Sequence, residues 1–452
     1  MTLSLREIKL ELRPMLVLAG PVILSELGWI TMGVVDTIMV GRLGAVPLGA
    51  VSIGSILFFT ATIFGMGLLF GLDTVVSQAF GAGRIDECHR WLVQGVYIAM
   101  TASLPLFGLL WISGYYLPRW GINSEIVPEA LPYLHAISWS IFPVLVQTAF
   151  RRYLQAMNRV APILFAMITA NLINAGANWL LIYGHYGFPR MGTEGSGWAT
   201  FISRVYLMAV LVVYTVGYAA RRQDGLLSVS LQPQISRIRR LIGLGLPAAG
   251  QVTLEIGVFA VATTLAGRLQ PVSLAAHQIA LNIASFAFMV PYGIASAGAV
   301  RVGQAIGRRD AAGASRSGWT AMLLGAGFMA CAALVFLIWP RSLLRIFTTD
   351  LSVIRAGVPL LFVAALFQLF DGLQSTTTGA LRGAGDTRTP MICNLVGHWV
   401  VGLPTGYFLC FVMGWNVVGL WSGLATGLTF CGIVLVGVWS RRVKRITAAL
   451  GP

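Results

Sequence analysis

Long, uninterrupted apolar stretches dominate the chain, and most of them reach 20 residues or more. About 20 apolar residues in a helix cross the roughly 30 Å hydrocarbon core of a bilayer. The stretches are continuous rather than alternating, so they predict helices and not the strands of a barrel. The pattern predicts an all-α integral membrane protein. Its twelve transmembrane helices are predicted near residues 15–39, 48–70, 91–115, 132–155, 162–185, 195–219, 241–267, 274–298, 318–340, 357–382, 391–413 and 418–439.

The two halves of the chain repeat at a constant offset of 226 residues. The offset places Pro21 on Pro247, Gly41-Arg42-Leu43 on Gly267-Arg268-Leu269, Gly67 on Gly293 and Gln78-Ala79 on Gln304-Ala305. Six helices per repeat give both copies the same orientation, which is a parallel, pseudo-two-fold arrangement known from transporters. We therefore predict an N-terminal six-helix lobe (1–219), a cytoplasmic inter-lobe linker (220–240) and a C-terminal six-helix lobe (241–452), with the site between the lobes.

Composition excludes a water-soluble protein, since hydrophobic residues make up 57% of the chain and charged residues only 10%, against about 25% charged in soluble proteins. The net charge of +15 resides in short loops between apolar stretches. With the N-terminus inside, 23 of the 31 Lys and Arg lie inside and seven lie outside, while Arg204 falls within the sixth span. This bias predicts positive-inside topology rather than nucleic-acid binding. We expect a multi-pass protein of the cell inner membrane with both termini cytoplasmic, and a cytoplasmic lead-in rather than a signal peptide at the N-terminus.

Four acidic residues fall inside predicted helices: Glu26, Asp36, Glu255 and Asp371. A charge at the bilayer centre costs on the order of 2.5–3.5 kcal/mol, so such residues are functional candidates by default. The alternative is that each is a satisfied hydrogen-bonding group between helices, and Glu26 fits that alternative best. The repeat places Glu255 on Trp29 and Asp36 on Ala262, so the carboxylates do not follow the repeat. This favours chemistry particular to each lobe.

Polar side chains at helical spacing accompany these carboxylates. Residues three or four apart share a helix face, which places Gln251 beside Glu255. By the same spacing, the companions of Asp371 are Gln368, Gln374 and Ser375. Asn174 and Asn178 share a face of the fifth span, where their amides could hold the carboxylate of the first lobe or simply join helices.

Several kinds of site are absent from the sequence. Lys9 and Lys444 are the only lysines, and neither belongs to a phosphate-binding Gly-x-x-x-x-Gly-Lys loop. The sequence has no HExxH, no nucleophile elbow and no CxxC among its five cysteines. We therefore expect no enzyme, no cofactor, no zinc site and no disulfide framework. Energy for transport would come from an ion gradient.

Five segments carry a resemblance to a known family. They are VVDTIMVGRLGAVPLGAVSIG (34–54), SQAFGAG (77–83), AAHQIALNIASFAFMVPYGIASAGAVRVGQAIG (275–307), DGLQSTTTGALRGAGDTRTPM (371–391) and GLPTGYFL (402–409). In order and register, the chain resembles the NorM-type branch of the multidrug and toxic compound extrusion family. The resemblance implies twelve helices in two lobes around a central cavity. It also implies export of amphipathic, often cationic compounds in exchange for Na⁺ or H⁺.

The resemblance also assigns residues. Asp36, Glu255 and Asp371 match the family's acidic residues of the first, seventh and tenth helices, and Asn174 and Asn178 match its fifth-helix amides. Phe367 stands where NorM-type proteins often have tyrosine, so one oxygen ligand for Na⁺ is missing. We expect a secondary antiporter working by alternating access, with H⁺ favoured over Na⁺ as the coupling ion. If the ion is Na⁺, Glu255 and Asp371 are its candidate ligands.

The expected partners are small-molecule drugs or organic cations and the lipid bilayer, without nucleic acid, and the expected state is a monomer. The nearest rival function is a flippase for lipid-linked precursors, which requires a cavity lined by several cationic residues. A membrane-embedded transferase requires an Asp-rich or His-containing motif that the sequence lacks. A channel is weakened by the two-lobe repeat and by the absence of a selectivity filter.

Overall fold

A computed structural model describes residues 5–450, with the side chains of residues 10–449. All regular secondary structure in this range is helical, which confirms the predicted class. Between residues 10 and 449, eleven helices are long and apolar enough to cross a membrane. The predicted lead-in and lobes include residues 1–4 and 451–452, which lie outside the described residues.

The predicted span at 132–155 is the one that the structure divides. Two shorter helices, Val127–Ser138 and Ile141–Ala156, cover that stretch. Pro143 has no amide hydrogen to donate to the carbonyl of Trp139 four residues earlier, and the break lies at this point. The prediction of one continuous helix there was wrong, because the apolar pattern runs through the break.

The chain forms two compact units that share two helices, α1 (Leu5–Gly41) and α9 (Ile235–Ala266). The N-terminal unit comprises Leu24–Ala249, and the C-terminal unit comprises the residues up to Ile23 together with those from Gly250 onward. The divisions after Ile23 and Ala249 are 226 residues apart, which is the offset of the sequence repeat. These units differ from the predicted lobes 1–219 and 241–452. The C-terminal unit includes the first part of α1, and the N-terminal unit includes the first part of α9.

The N-terminal unit contains α1 from Leu24 onward, α9 up to Ala249, and seven complete α-helices. These are α2 (Ala45–Leu68), α3 (Gly71–Gly81), α4 (Ile85–Tyr116), α5 (Val127–Ser138), α6 (Ile141–Ala156), α7 (Ala161–Tyr183) and α8 (Gly192–Arg222). Short 3₁₀ turns occupy Pro118–Trp120, His185–Gly187 and Leu226–Ser228. The last of these turns lies in the predicted linker 220–240.

The C-terminal unit contains α1 up to Ile23, α9 from Gly250 onward, and seven further α-helices. These are α10 (Pro271–Gly307), α11 (Ala311–Ile338), α12 (Pro340–Arg345), α13 (Leu351–Gly383), α14 (Arg388–Asn394), α15 (Leu403–Tyr407) and α16 (Asn416–Leu450). Wider π-helical turns, Leu395–Gly402 and Phe408–Val412, connect α14 and α15 into a single span. Glycines let α16 approach this span closely: a Cβ on Gly423 would lie 2.3 Å from the Cα of Gly406.

Gly67 and Gly293 are related by the repeat offset. Gly67 packs against the first part of α9, and Gly293 packs against the first part of α1. In the N-terminal unit, a Cβ on Gly67 would lie 2.5 Å from the Cα of Ala249. In the C-terminal unit, a Cβ on Gly293 would lie 2.4 Å from Cγ1 of Ile23. Ile23 and Ala249 are themselves related by the offset of 226. The same close helix contact therefore occurs once in each unit, with glycine providing the space.

Candidate functional site

In the N-terminal unit, Asp36 on α1 is buried and both of its carboxylate oxygens accept a hydrogen bond. Asn178 Nδ2 on α7 donates to Oδ1 at 2.6 Å, and Thr200 Oγ1 on α8 donates to Oδ2 at 3.1 Å. Asn178 also donates to Asn174 Oδ1 at 3.2 Å. The structure thus brings together the acidic residue and the two amides that the sequence suggested. One neutral donor at each oxygen offsets part of the cost of removing a carboxylate from water.

A buried arginine lies beside this carboxylate. Arg204 on α8 is 4% exposed, and its guanidinium lies over the ring of Trp29, 3.5 Å from the centroid. It interacts electrostatically with Asp36 and with Tyr133 of α5, whose hydroxyl is 2.8 Å from Ser55 Oγ. The first carboxylate therefore has a permanent positive charge nearby.

In the C-terminal unit, Glu255 on α9 accepts two amide hydrogen bonds on one oxygen. Gln251 Nε2 donates to Glu255 Oε2 at 2.7 Å, and Asn394 Nδ2 of α14 donates to the same oxygen at 3.2 Å. Gln374 Nε2 of α13 donates to Asn394 Oδ1 at 3.3 Å. The amide of Asn394 therefore connects α13 to the carboxylate on α9.

Asp371 on α13 is buried and interacts electrostatically with Glu255. Within residues 10–449, no Lys or Arg forms an ion pair with either carboxylate. The unit thus contains two nearby acidic groups without a basic residue bound to either. Such a pair is able to hold a proton or another cation, since two like charges in a medium of low dielectric constant repel strongly.

Two predicted companions of Asp371 do not join this hydrogen-bonded group. Gln368 is buried, and neither its Nε2 nor its Oε1 has a hydrogen-bond partner among the described residues. Ser375 lies on α13 next to Gln374 and is buried. Phe367, one turn before Asp371, packs against Trp421 with their ring centroids 6.0 Å apart.

The remaining acidic residue of the predicted spans, Glu26, forms an ion pair with buried Arg151 of α6. Asp73 also lies within a helix, α3, which the predicted spans did not include. It forms an ion pair with Arg152 at 3.5 Å. Both arginines are 1% exposed. These pairs fit the alternative that a buried carboxylate joins helices.

The sequence pattern of the family described as MatE matches residues 21–180 and 247–408. The two matched stretches begin 226 residues apart and together cover most of the chain. The chain belongs to the MatE family. The double match shows that each repeat of this MatE protein is one copy of the family's unit, so the internal repeat and the family assignment support each other.

Full-length relatives agree with the family assignment. A protein of Mesorhizobium japonicum named "Probable multidrug resistance protein NorM" is 37% identical, over 96% of this chain and 94% of the relative. A protein of the same name from Brucella suis is 34% identical, over 95% of this chain and 93% of the relative. The similarity therefore extends across both repeats.

Solved structures show the same fold. The crystal structure of the eukaryotic MATE transporter AtDTX14 matches with a TM-score of 0.87 and 21% identity, over 98% of this MatE chain and 100% of that one. At this level of identity the likeness concerns the fold alone.

Three residues of the two sites were missed from the sequence. Thr200 and Asn394 lie on helices far along the chain from the carboxylates they contact, so helical spacing gave no sign of them. Arg204 did give a signal, because it is a lone arginine within a predicted span. A charged residue inside a span is a functional candidate by default, and the same rule that selected the acidic residues would have selected Arg204.

Proposed function

We propose that this MatE protein is a secondary active multidrug efflux antiporter. It exports amphipathic, often cationic compounds in exchange for an external cation by alternating access, and it carries out no enzymatic step. The proposal is supported by relatives named as multidrug resistance proteins over nearly the full length of both chains.

The observation that carries the proposal is the carboxylate pair Glu255 and Asp371. Asp371 is buried and Glu255 is partly buried, and neither forms an ion pair with Lys or Arg among the described residues. Two such acidic groups that act on each other bind one added positive charge favourably. A cationic drug and a coupling cation would compete for that charge. Differential binding of the two ligands to the two transport conformations then couples their movements.

We propose H⁺ as the coupling ion. The side-chain groups that hydrogen-bond to Glu255 are the amide N–H donors of Gln251 and Asn394, and an N–H group cannot coordinate a cation. The oxygen of Asn394 already accepts a hydrogen bond from Gln374. Na⁺ prefers several oxygen ligands, whereas a proton needs a single carboxylate oxygen.

The proposed location is the cell inner membrane, with both termini cytoplasmic and the protein active as a monomer. Eleven helices of the part described by the structure could cross a bilayer, and the Lys and Arg bias supports the proposed orientation. The rival flippase function requires several unpaired cationic side chains around a cavity for a pyrophosphate group. Buried Arg151 and Arg152 instead form ion pairs with Glu26 and Asp73, and buried Arg204 lies over Trp29.

Drug efflux from proteoliposomes with separately imposed pH and Na⁺ gradients tests the proposal. Glu255→Gln and Asp371→Asn should each abolish gradient-driven efflux while leaving the amount of inserted protein unchanged. The matched control is Asp350→Asn in the same unit. Asp350 caps α13, and hydrogen bonds from Ser352 lower the pKa of its carboxyl. Asparagine caps a helix equally well, so this variant should export normally. Full efflux in both site variants would refute the proposed role of the carboxylates.

A further inference from the structure

Arg204 is the basic residue that adjoins the Asp36 site, and the efflux function does not by itself require it. Its side chain is held in place by the face of Trp29 rather than by a bound carboxylate oxygen. Its Nε and Nη1 atoms are buried and have no hydrogen-bond partner among residues 10–449. A buried guanidinium with unused donors is costly. The site must therefore gain something from keeping the charge there.

The geometry indicates where that gain arises. Arg204 follows Thr200 by one turn of α8, so the two side chains share a face, and Thr200 donates to Asp36 Oδ2. The two side chains form no ion pair in the described structure, so the charge of Arg204 acts on Asp36 through space. Its guanidinium lies over the face of Trp29, and aromatic faces attract cations.

The other groups that face Asp36 do not supply a positive charge. Asn174 and Asn178 of α7 are neutral, and Tyr133 of α5 interacts with both Asp36 and Arg204. The other acidic residue of a span in α1, Glu26, is paired with Arg151 of α6. Arg204 is thus the cation that compensates an ionised Asp36.

The internal repeat sharpens this assignment. Trp29, the ring beneath Arg204, occupies the position that Glu255 occupies in the second repeat. The second repeat therefore has a carboxylate where the first has a platform for a cation. Glu255 and Asp371 form no ion pair with a basic residue among the described residues, whereas Asp36 has Arg204 among the groups that act on it.

We propose that Arg204 is a positioning residue that acts as a tethered counter-cation for Asp36. When Asp36 carries neither a proton nor a cationic substrate, the guanidinium on Trp29 compensates its charge. A proton or an organic cation must then bind Asp36 against this built-in charge, which weakens that binding. The part of the inference that concerns substrates rests on the proposed efflux function, whereas the part that concerns protonation of Asp36 does not.

The test is infrared titration of the Asp36 carboxyl in the purified full-length protein, with its band identified by its loss in Asp36→Asn. In Arg204→Gln, ionised Asp36 loses its compensating charge and should stay protonated to higher pH. A nearby opposite charge changes such a midpoint by about one to three pH units. We expect the midpoint to rise by about one unit or more, and Arg204→Lys to restore much of the difference.

The matched control is Arg159→Gln. Arg159 also belongs to the N-terminal unit and lies over an aromatic ring, that of Tyr218 at 4.1 Å, but it is not among the groups that interact with Asp36. The midpoint of the Asp36 titration in Arg159→Gln should equal that in the wild type. An unchanged midpoint in folded Arg204→Gln overturns the inference.

Two further measurements keep the test decisive. If Arg204→Gln does not fold, Trp29→Leu removes the platform but keeps the charge, and a smaller rise of the midpoint is expected. No rise in that variant also overturns the inference. Ethidium binding at a pH where Asp36 is ionised should tighten several-fold in Arg204→Gln. Because the titration needs no transport, a protein that exports no drug but shows the predicted shift would refute the efflux function alone.

Discussion

Glu11 and Arg237 occupy the same position in the two repeats, and each makes a two-point ion pair with a residue of opposite charge. Arg301 donates to both carboxylate oxygens of Glu11, at 2.7 and 3.0 Å, within the C-terminal unit. Arg237 donates to both oxygens of Glu87, at 2.6 and 3.0 Å, within the N-terminal unit. An ion pair therefore occurs at this position in both repeats with the charge reversed, although the partners Arg301 and Glu87 are not related by the offset.

These ion pairs belong to the first parts of α1 and α9, the two helices that the units share. Glu11 binds α10 through Arg301 and α11 through Ser317 Oγ at 2.8 Å. Arg237 binds α4 through Glu87 and lies 4.7 Å from the ring centroid of Trp91. Each ion pair holds the first part of α1 or α9 against the other helices of the unit to which that part belongs.

The first prediction is that the two anchors differ in strength. The side chains of Glu11 and Arg301 are 4% and 19% exposed, whereas those of Arg237 and Glu87 are 17% and 26% exposed. Removing Glu11 leaves both Arg301 and Arg316 without their carboxylate, which costs up to about 3 kcal/mol. Removing a partner of a more exposed pair costs about 1 kcal/mol or less. Thermal unfolding of purified protein should therefore show a much larger loss for Glu11→Ala than for Arg237→Ala.

A charge exchange separates the ion pair from other causes. The double variant Glu11→Arg with Arg301→Glu should recover part of the stability that Glu11→Ala loses, because Arg316, 4.0 Å from Glu11, would repel the new arginine. Glu125→Ala serves as the control, since Glu125 is exposed and its side chain forms no ion pair in the described structure. Equal destabilisation by Glu11→Ala and Arg237→Ala would contradict the ranking by burial.

The second prediction concerns Asn394, which connects Gln374 to Glu255. Asn394→Leu keeps a similar volume but removes both hydrogen bonds, while Gln374→Leu removes only the outer one. Each lost bond to a buried polar group costs about 1–3 kcal/mol, and 1.4 kcal/mol is a factor of about ten. We expect drug efflux to fall about tenfold in Asn394→Leu and less in Gln374→Leu.

Ser422→Ala on α16 is the control for this series, because the hydroxyl of Ser422 bonds only to the carbonyl of Val418 in its own helix. It should leave efflux unchanged. The informative readout is the pH profile of efflux, which should shift in Asn394→Leu because the hydrogen bonds of Glu255 change. A reduced rate with an unchanged pH profile would show that Asn394 acts only in packing.

Local spacing explains which site contacts were predictable. Gln251 and Glu255, like Asn174 and Asn178, are four residues apart on one helix, and both pairs are in contact. A buried carboxylate needs hydrogen-bond donors, so the sequence suggested that Asn178 could reach Asp36. It equally allowed Asn178 only to join helices. Asn394 was not predictable, because it lies 139 residues from Glu255 and just before a π-helical turn that changes the helical register.

The fold shows the same limit. Apolar runs located eleven spans, but some observed helices extend well beyond the predicted ends, as α10 does to Gly307 (predicted 298) and α16 to Leu450 (predicted 439). They did not reveal the break before Pro143, because hydrophobicity reports burial in lipid and not backbone hydrogen bonding. The repeat offset revealed two equivalent halves but not the exchange of the first parts of α1 and α9. That exchange depends on which unit each part packs against, as at Gly67 and Gly293, and sequence spacing contains no such information.

The third prediction concerns topology. Inside segments contain 23 of the 31 Lys and Arg, and outside loops contain seven, so both termini should be cytoplasmic. A fluorescent reporter that matures only in the cytoplasm, fused to the C-terminus, should give signal. The same reporter inserted at Gly187, in a predicted outside loop, should stay dark. A dark C-terminal fusion that is inserted in normal amount would contradict the orientation.

The fourth prediction concerns the coupling ion and the side chain of Phe367. This residue precedes Asp371 by one turn on α13, so the two share a helix face. Its ring packs against Trp421 and offers no oxygen. With H⁺ as the coupling ion, wild-type proteoliposomes should export drug under an inward proton gradient in the absence of sodium. Efflux that begins only when external Na⁺ is added at constant pH would overturn the proposed ion.

Phe367→Tyr then tests whether this position adjoins the ion site. The added hydroxyl supplies an oxygen of the kind that Na⁺ prefers, one helical turn from Asp371. We expect efflux to gain stimulation by Na⁺, at some loss of stability, because a buried hydroxyl without a partner costs about 1–3 kcal/mol. Phe370→Tyr is the matched control, since it adds the same group to α13 next to Asp371 in sequence but on a different face of the helix. Na⁺ stimulation in both variants, or in neither, would show that position 367 has no special relation to the ion.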